Sequence, residues 1–347
     1  MSDLWIATVE SAVESGVDGL GSQFIGEFAA LAAAFLWAAA TLLFGKLGRQ
    51  LSPLVLNLIK GVFAVVFIGV TIAARYSFGT DTGDVDLPID AILYLILSGG
   101  IGIGLGDTAY FSAINALGAR RALLLETLAP PIAAVLAWIF LSERLSAVSI
   151  LGIGLTLIGI AWVISERVPG SAQVKWGAGL KVALLAVFCQ ASGAVLSRAA
   201  LLDVSVDPLW SSLLRLISGL VFMAILAKLQ PHRLGDYLSA ELSAELSAET
   251  TSEMSSWQSR WRQSLSALSQ PPLLGAVALA AFFGTYLGIW LQQISLKYTA
   301  AGIAQSLLAT SPLFVLPLAA ALGERISFRA VLGAALALSG VWILLAG

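Results

Sequence analysis

Apolar residues run along this chain in blocks longer than the core of a soluble domain needs. Ten blocks follow one another, at about 27–47, 53–74, 90–114, 119–141, 147–165, 177–201, 208–229, 273–296, 299–320 and 328–346. A helix of about 20 apolar residues crosses the hydrocarbon core of a bilayer. In lipid, backbone groups must find their partners inside the protein, which predicts helices; the alternation of a membrane β-barrel is absent. Most connections are short. The pattern therefore predicts an all-α membrane protein with ten transmembrane helices.

A second pattern lies over the first. Leu141-Ser142-Glu143-Arg144-Leu145-Ser146 returns as Leu322-Gly323-Glu324-Arg325-Ile326-Ser327. A proline precedes each glutamate by twelve residues (Pro131, Pro312), and a glycine follows it by nine (Gly152, Gly333). Another glycine comes seven residues later (Gly159, Gly340). Four anchors in one register predict two copies of one unit, at 26–166 and 177–347, behind an N-terminal tail at 1–25. Each unit holds five spans. Five is odd, so the second unit starts on the opposite side of the membrane and the repeat is inverted. That design lets the halves exchange conformations around a central site, as transporters do.

Composition agrees with a membrane setting. The chain is 58% hydrophobic and 12% charged, against about 25% charged in soluble domains. Its mean hydropathy is +0.90. A net charge of −2 argues against nucleic acid as a partner. Cys189 and His232 are the only cysteine and histidine, so no internal disulfide and no Cys/His metal cluster is expected. No Walker motif is present, so the chain is not expected to hydrolyse ATP. The expected partners are a small-molecule substrate and the lipid bilayer, with no cofactor. Ten helices suffice to enclose a path, so a monomer is the default, with a dimer left open.

Residues 1–25 lack the basic start and apolar centre of a signal peptide. Val9, Val13 and Val17 fit either a short surface helix or a poorly ordered tail. The long connection 230–272 carries three Leu-Ser-Ala-Glu tetrads from Leu238 to Glu249, then Trp257, Arg260, Trp261 and Arg262. Such a low-complexity insertion is expected to be structural or neutral, its Trp/Arg stretch suiting the lipid headgroups.

With its doubled Pro–Glu-Arg–Gly–Gly pattern, the chain resembles the drug/metabolite transporter superfamily, in its ten-helix EamA-type branch. The resemblance covers about residues 26–347. Units of that branch typically end in a proline-bearing fourth helix, a Leu-Gly-Glu-Arg-type turn and a glycine-bearing fifth helix. Here Ser142 replaces the glycine in the first copy. The resemblance implies a permease for a small polar metabolite or drug, exporting in the simplest case, in a cell (plasma) membrane. It does not name the substrate.

Charged residues inside spans are costly and mark sites. Lys60 and Arg215 each lie seven residues after a proline (Pro53, Pro208), about 10 Å along their helices. A cation at this place in both halves suits a substrate carboxylate or phosphate, or else snorkels to the interface. The resemblance also implies an arginine here in the second helix of a unit. Glu126 has Leu307 as its counterpart. It is a candidate to take up a proton during the cycle, or a partner for Arg120, Arg121 or Lys60. Asp107, Asn115, Gln292 and Gln293 are candidates to line the path, since polar side chains in spans face the bundle interior. The glycines before Asp107 (Gly99, Gly100, Gly102, Gly104, Gly106) and the pair Gly284/Gly288 suit tight packing. Trp37, in mid-span, is placed to stack on a substrate. Thr127 to Pro131 and Thr310 to Pro312 read as kinks, with Gln305 and Ser306 a turn before the second. Glu143–Arg144 and Glu324–Arg325 are expected to fix the fourth-to-fifth corners through caps and ion pairs.

Orientation is open. Connections after odd-numbered spans hold most of the basic residues, including Lys46, Arg49, Arg120, Arg121 and Arg325, which places them in the cytoplasm and both termini outside. The resemblance implies the reverse. An even number of spans puts both termini on one side either way. Three functions fit a duplicated membrane unit: a secondary transporter working by alternating access, a membrane scaffold or sensor without flux, or a membrane enzyme. The last lacks a histidine in any span to serve as a base.

Overall fold

The structure is a computed structural model. It describes residues 24–41, 43–44, 47, 51, 53–78, 87–117, 122, 125–165, 176–202, 206–229, 270–314, 317 and 327–346. The tail 1–23, most of the loop 230–272, Arg120, Arg121, Glu324 and Arg325 lie outside the described residues.

Helices occur within the apolar blocks, though the longest unbroken helices described in 119–141 and 299–320 are only Ala129–Leu141 and Ala301–Leu308, and no strand occurs among the described residues. In chain order they are α1 (Phe24–Thr41), α2 (Pro53–Ser77), α3 (Ile89–Ser98, Gly99–Asp107 and Thr108–Leu117 as one rod), α4 (Ala129–Leu141) and α5 (Ala147–Ile164). The second set is α6 (Trp176–Leu201), α7 (Pro208–Leu229), α8 (Pro271–Ala280, Ala281–Leu287 and Gly288–Tyr298 as one rod), α9 (Ala301–Leu308) and α10 (Phe328–Ala346). Seven of these stretches are long and apolar enough to cross a membrane; Ala129–Leu141 and Ala147–Val163 are apolar but shorter.

Burial follows from which face meets lipid. Large apolar side chains such as Phe28, Val70, Phe140, Val331 and Trp342 point outward and stay exposed. A belt of this kind on a bundle of span-length helices is a lipid-facing surface. The inner faces carry small residues instead. Ala30, Ala33, Ala34, Ala133, Ala186 and Ala337 are fully or almost fully buried, which lets helices approach closely where lipid supplies no hydrophobic drive.

The repeated glycines meet each other. A Cβ on Gly159 would lie 2.4 Å from the Ala337 nitrogen and 2.6 Å from the Gly333 oxygen. A Cβ on Gly340 would lie 2.4 Å from the Thr156 nitrogen and 2.7 Å from the Gly152 oxygen. The glycines at the ends of both sequence copies therefore form one contact, the crossing of α5 with α10. Ser142, where the second copy has glycine, sits in the left-handed region with φ 56° and closes the C-terminus of α4.

Two rods widen in the middle. Gly99–Asp107 of α3 and Ala281–Leu287 of α8 are π-helical. A π turn leaves carbonyls without the usual partner. Asn57 Nδ2 donates to the Ile103 oxygen at 3.1 Å, and the Trp37 indole donates to the Gly284 oxygen at 2.8 Å. These two carbonyls therefore already have donors, while Ile103 and Gly284 themselves border the cavity described below. The glycines serve packing, as expected: Gly102 faces Gly193 and Gly104 faces Phe222. The expected kinks appear as breaks. A turn at Thr127–Leu128 precedes α4, whose first turn carries proline. A matching turn at Ala309–Thr310 follows α9, before Pro312.

The two ends of the bundle differ. One end joins the C-termini of α2, α4, α6 and α8 to the N-termini of α7 and α9. Arg75 meets Asp207 at 3.4 Å there, Lys297 donates to the Val206 oxygen at 2.7 Å, and Arg198 pairs with Glu143. At the other end, Gly179 of α6 packs on Leu117 of α3, and Leu273 of α8 joins Leu56 of α2.

Candidate functional site

The breaks and the widened rods face one cavity. It holds about 190 Å³ and is walled by α1, α2, α3, α6, α7, α8 and α9 and by the chain entering α4. Its walls include Thr41, at the C-terminal end of α1, and Phe111, in the last part of α3. The cavity thus reaches toward the end opposite the Glu143–Arg198 pair. Both helix breaks contribute: Thr127 and Pro130 on one side, Ala309, Ser311 and Pro312 on the other. Irregular backbone at membrane depth is tolerated where it borders such a cavity.

Lys60 and Asp107 form its central charge pair. Lys60 Nζ lies 2.5 Å from Asp107 Oδ2, with side-chain exposures of 7% and 16%. Gln190 Nε2 donates to Asp107 Oδ1 at 3.0 Å. Phe111 and Phe44 flank the ammonium at 5.0 and 5.9 Å from their ring centres. Both oxygens of the carboxylate and the charge of the lysine are thus met within the protein. A pair withdrawn from water persists only with such support.

Arg215 has no such support. It is 2% exposed. Its Nη1 donates to Gln292 Oε1 at 3.3 Å, and its Nε has no partner. No carboxylate lies in salt-bridge range among the described residues. Matching the α3 and α8 rods explains the difference. Counting back from their ends at Leu117 and Tyr298, Asp107 corresponds to Gly288. Counting from their starts at Ile89 and Pro271, it corresponds to Ile289. The first half has an acid beside its cation, where the second half has Gly288 or Ile289 at the matching place.

Glu126 is the reverse case. It lines the cavity and meets neither a cation nor a hydrogen-bond donor among the described residues. Of its expected partners, Lys60 is held by Asp107, and Arg120 and Arg121 lie outside the described residues. Gln305 Nε2, also at the cavity, is buried without a partner. Trp37 forms part of the wall, its ring against Gly288 and its N–H held by Gly284.

Lys60, Arg215, Asp107, Gln292, Trp37 and Glu126 thus share one cavity. Gln293 does not join them: its Oε1 accepts from Ser211 at 2.7 Å, away from the cavity. One residue along a helix turns a side chain by about 100°. The Asn115 side chain lies outside the described residues. Glu143 does make a cap and an ion pair, but its partners are not at the fourth-to-fifth corner. Glu143 pairs with Arg198 of α6 and accepts from the Ala301 nitrogen, while Arg144 is exposed. The corner is therefore tied across to the other half. Sequence reading missed Gln190, Asn57 and Tyr110. The signal was present for the first two, since an amide alone in an apolar block faces the interior.

No curated protein shows significant similarity to the chain. A solved crystal structure of another protein shares the fold with a TM-score of 0.64 and 17% identity, over 93% of this chain and 96% of the other. Residues 24–165 and 254–346 match the EamA-like transporter family. These two segments take in most of the cavity and both copies of the repeated motif, and the chain belongs to the EamA-like transporter family.

Proposed function

We propose that this protein is a secondary transporter that moves a small polar metabolite or drug across the membrane by alternating access. The proposed arrangement is ten spans in two inverted five-helix units, 26–166 and 177–347, with 230–272 as an insertion. Four matched features support it: the widened centres of α3 and α8, the breaks at Thr127–Leu128 before α4 and at Ala309–Thr310 before Pro312, the meeting of α5 with α10 through both sets of glycines, and Lys60 and Arg215 at one cavity. Export is the proposed direction, through a cell (plasma) membrane, by one chain acting alone.

The observation that carries the site is the unmatched charge. Among the described residues, Arg215 is a buried cation with no carboxylate in salt-bridge range, and Glu126 is a cavity carboxylate with no cation in salt-bridge range. A cargo bearing an acid group completes Arg215, as its guanidinium forms charge-assisted bonds with carboxylate or phosphate. Glu126 takes either a basic group of the same cargo or a proton. The driving force is then a proton gradient or exchange of one solute for another.

Ligand-induced thermal stabilisation of the detergent-solubilised protein tests the site. Small solutes are compared in four sets: acid only, base only, both, and neither. Binding at 100 times Kd stabilises a protein by about 2.7 kcal/mol. Acid-bearing solutes should raise Tm, and Arg215→Gln should erase that rise. Equal stabilisation by neutral solutes, unaffected by Arg215→Gln, would remove Arg215 from the site.

A further inference from the structure

Glu143 belongs to the repeated motif, yet it lies far from the cavity and its charge is spent elsewhere. Its Oε1 accepts from Arg198 Nε at 2.7 Å. Its Oε2 accepts from the Ala301 nitrogen, the first N–H of α9, at 3.0 Å. Arg198 Nη1 then donates to the Leu296 and Lys297 oxygens, at 2.8 and 2.7 Å, in the last turn of α8. Helix ends leave such N–H and C=O groups unsatisfied. One ion pair therefore satisfies both sides of the α8–α9 corner.

Three facts make this more than a local cap. The pair joins the α4–α5 corner of the first half to α6, α8 and α9 of the second. Its two side chains are each 14% exposed, so little water reaches them. It also sits at the end of the bundle opposite the one toward which the cavity reaches. A second link between the halves, Arg75–Asp207, is at the same end, but each side chain there is about one-third exposed, where screening leaves an ion pair little strength.

We propose that Glu143 and Arg198 form the lock of this closed end: the pair holds the α8–α9 corner shut while the cavity faces the other side, and it parts when the cavity turns toward it. This rests on the alternating-access reading. Removing one partner of a buried pair leaves the other charge uncompensated in the locked state. In the unlocked state both groups meet water and the loss costs little. Neutralising Glu143 therefore shifts the population toward the unlocked state, because only a change felt differently by the two states moves their equilibrium.

The test reads the conformation directly, without transport. In a Cys189→Ser background, Arg144→Cys and Leu202→Cys place spin labels on exposed positions beside the lock, for double electron–electron resonance in lipid nanodiscs. The parent should give a dominant short distance. Glu143→Gln should raise the fraction of a longer distance by roughly tenfold. Arg198→Lys keeps the charge but loses the forked contact to the α8 carbonyls, and should fall between the two. It also serves if Glu143→Gln fails to fold. An unchanged distance distribution in a folded variant, with only a lower Tm, would overturn the lock and leave Glu143 a simple helix cap. Absence of flux in the folded parent would instead count against the transporter reading, which this distance measurement does not use.

Discussion

The α5–α10 crossing makes a prediction that one helix can test against itself. A Cβ on Gly159 would stand 2.4 Å from the Ala337 nitrogen, 2.6 Å from the Gly333 oxygen and 2.7 Å from the Ala337 Cα, all backbone atoms. Ordinary contact begins at 3.4 Å, so the helices must move apart by about 1 Å at this point. Backbone cannot swing aside as a side chain does, and forcing extra atoms into a packed contact costs about 1–3 kcal/mol. Gly154, on the same helix, has nothing within 4 Å of its Cβ position. Both Gly→Ala changes gain the same helix propensity, about 1 kcal/mol, which cancels between them. Gly159→Ala should therefore be less stable than Gly154→Ala by about 1–3 kcal/mol. Thermal unfolding of both variants in one detergent, followed by fluorescence-detected size exclusion, measures the difference. Equal Tm values would refute the close crossing, and with it the structural role given to the repeated glycines.

Ser142→Gly should stabilise the protein by about 1 kcal/mol, since φ 56° costs an L side chain what glycine avoids; thermal unfolding reads the gain. Arg215→Met removes a buried cation with no carboxylate in salt-bridge range among the described residues, so Tm should hold or rise while stabilisation by acid-bearing solutes disappears; a fall of many degrees would mean that Arg215 is a structural residue. Lys60→Gln should cost about 3–5 kcal/mol by stranding Asp107, and adding Asp107→Asn should restore most of it. A double variant as unstable as the single would mean that the two groups do not act as a pair.

Block length made the helices legible, and the register of Pro, Glu and Gly marked Gly152, Gly159, Gly333 and Gly340, which meet where α5 crosses α10. Partnerships were harder. Glu143 and Arg198 are 55 residues apart, and Trp37 and Gly284 are 247 apart; nothing local in either segment announces the other. Glycine density suggested where α3 weakens, yet the widened part of α8, Ala281–Leu287, has a single glycine. Glycine content alone therefore does not account for the widening of both rods. Gln292 and Gln293 show a further limit. In a helix surrounded by lipid and apolar neighbours, hydrophobic periodicity does not tell which amide turns to the cavity and which to Ser211. Lys60, Asp107 and Arg215 were legible as costly charges in spans. Which cation is satisfied and which is not required the fold.

The central claim is that a solute passes through this cavity and meets Arg215. The direct measurement is exchange in proteoliposomes loaded with amino acids, sugars and phosphorylated metabolites, with and without a pH gradient, followed by mass spectrometry. The account predicts selective loss of an acid-bearing solute class, abolished by Arg215→Gln in folded protein. No flux of any solute from folded parent protein, or flux untouched by Arg215→Gln, would contradict it.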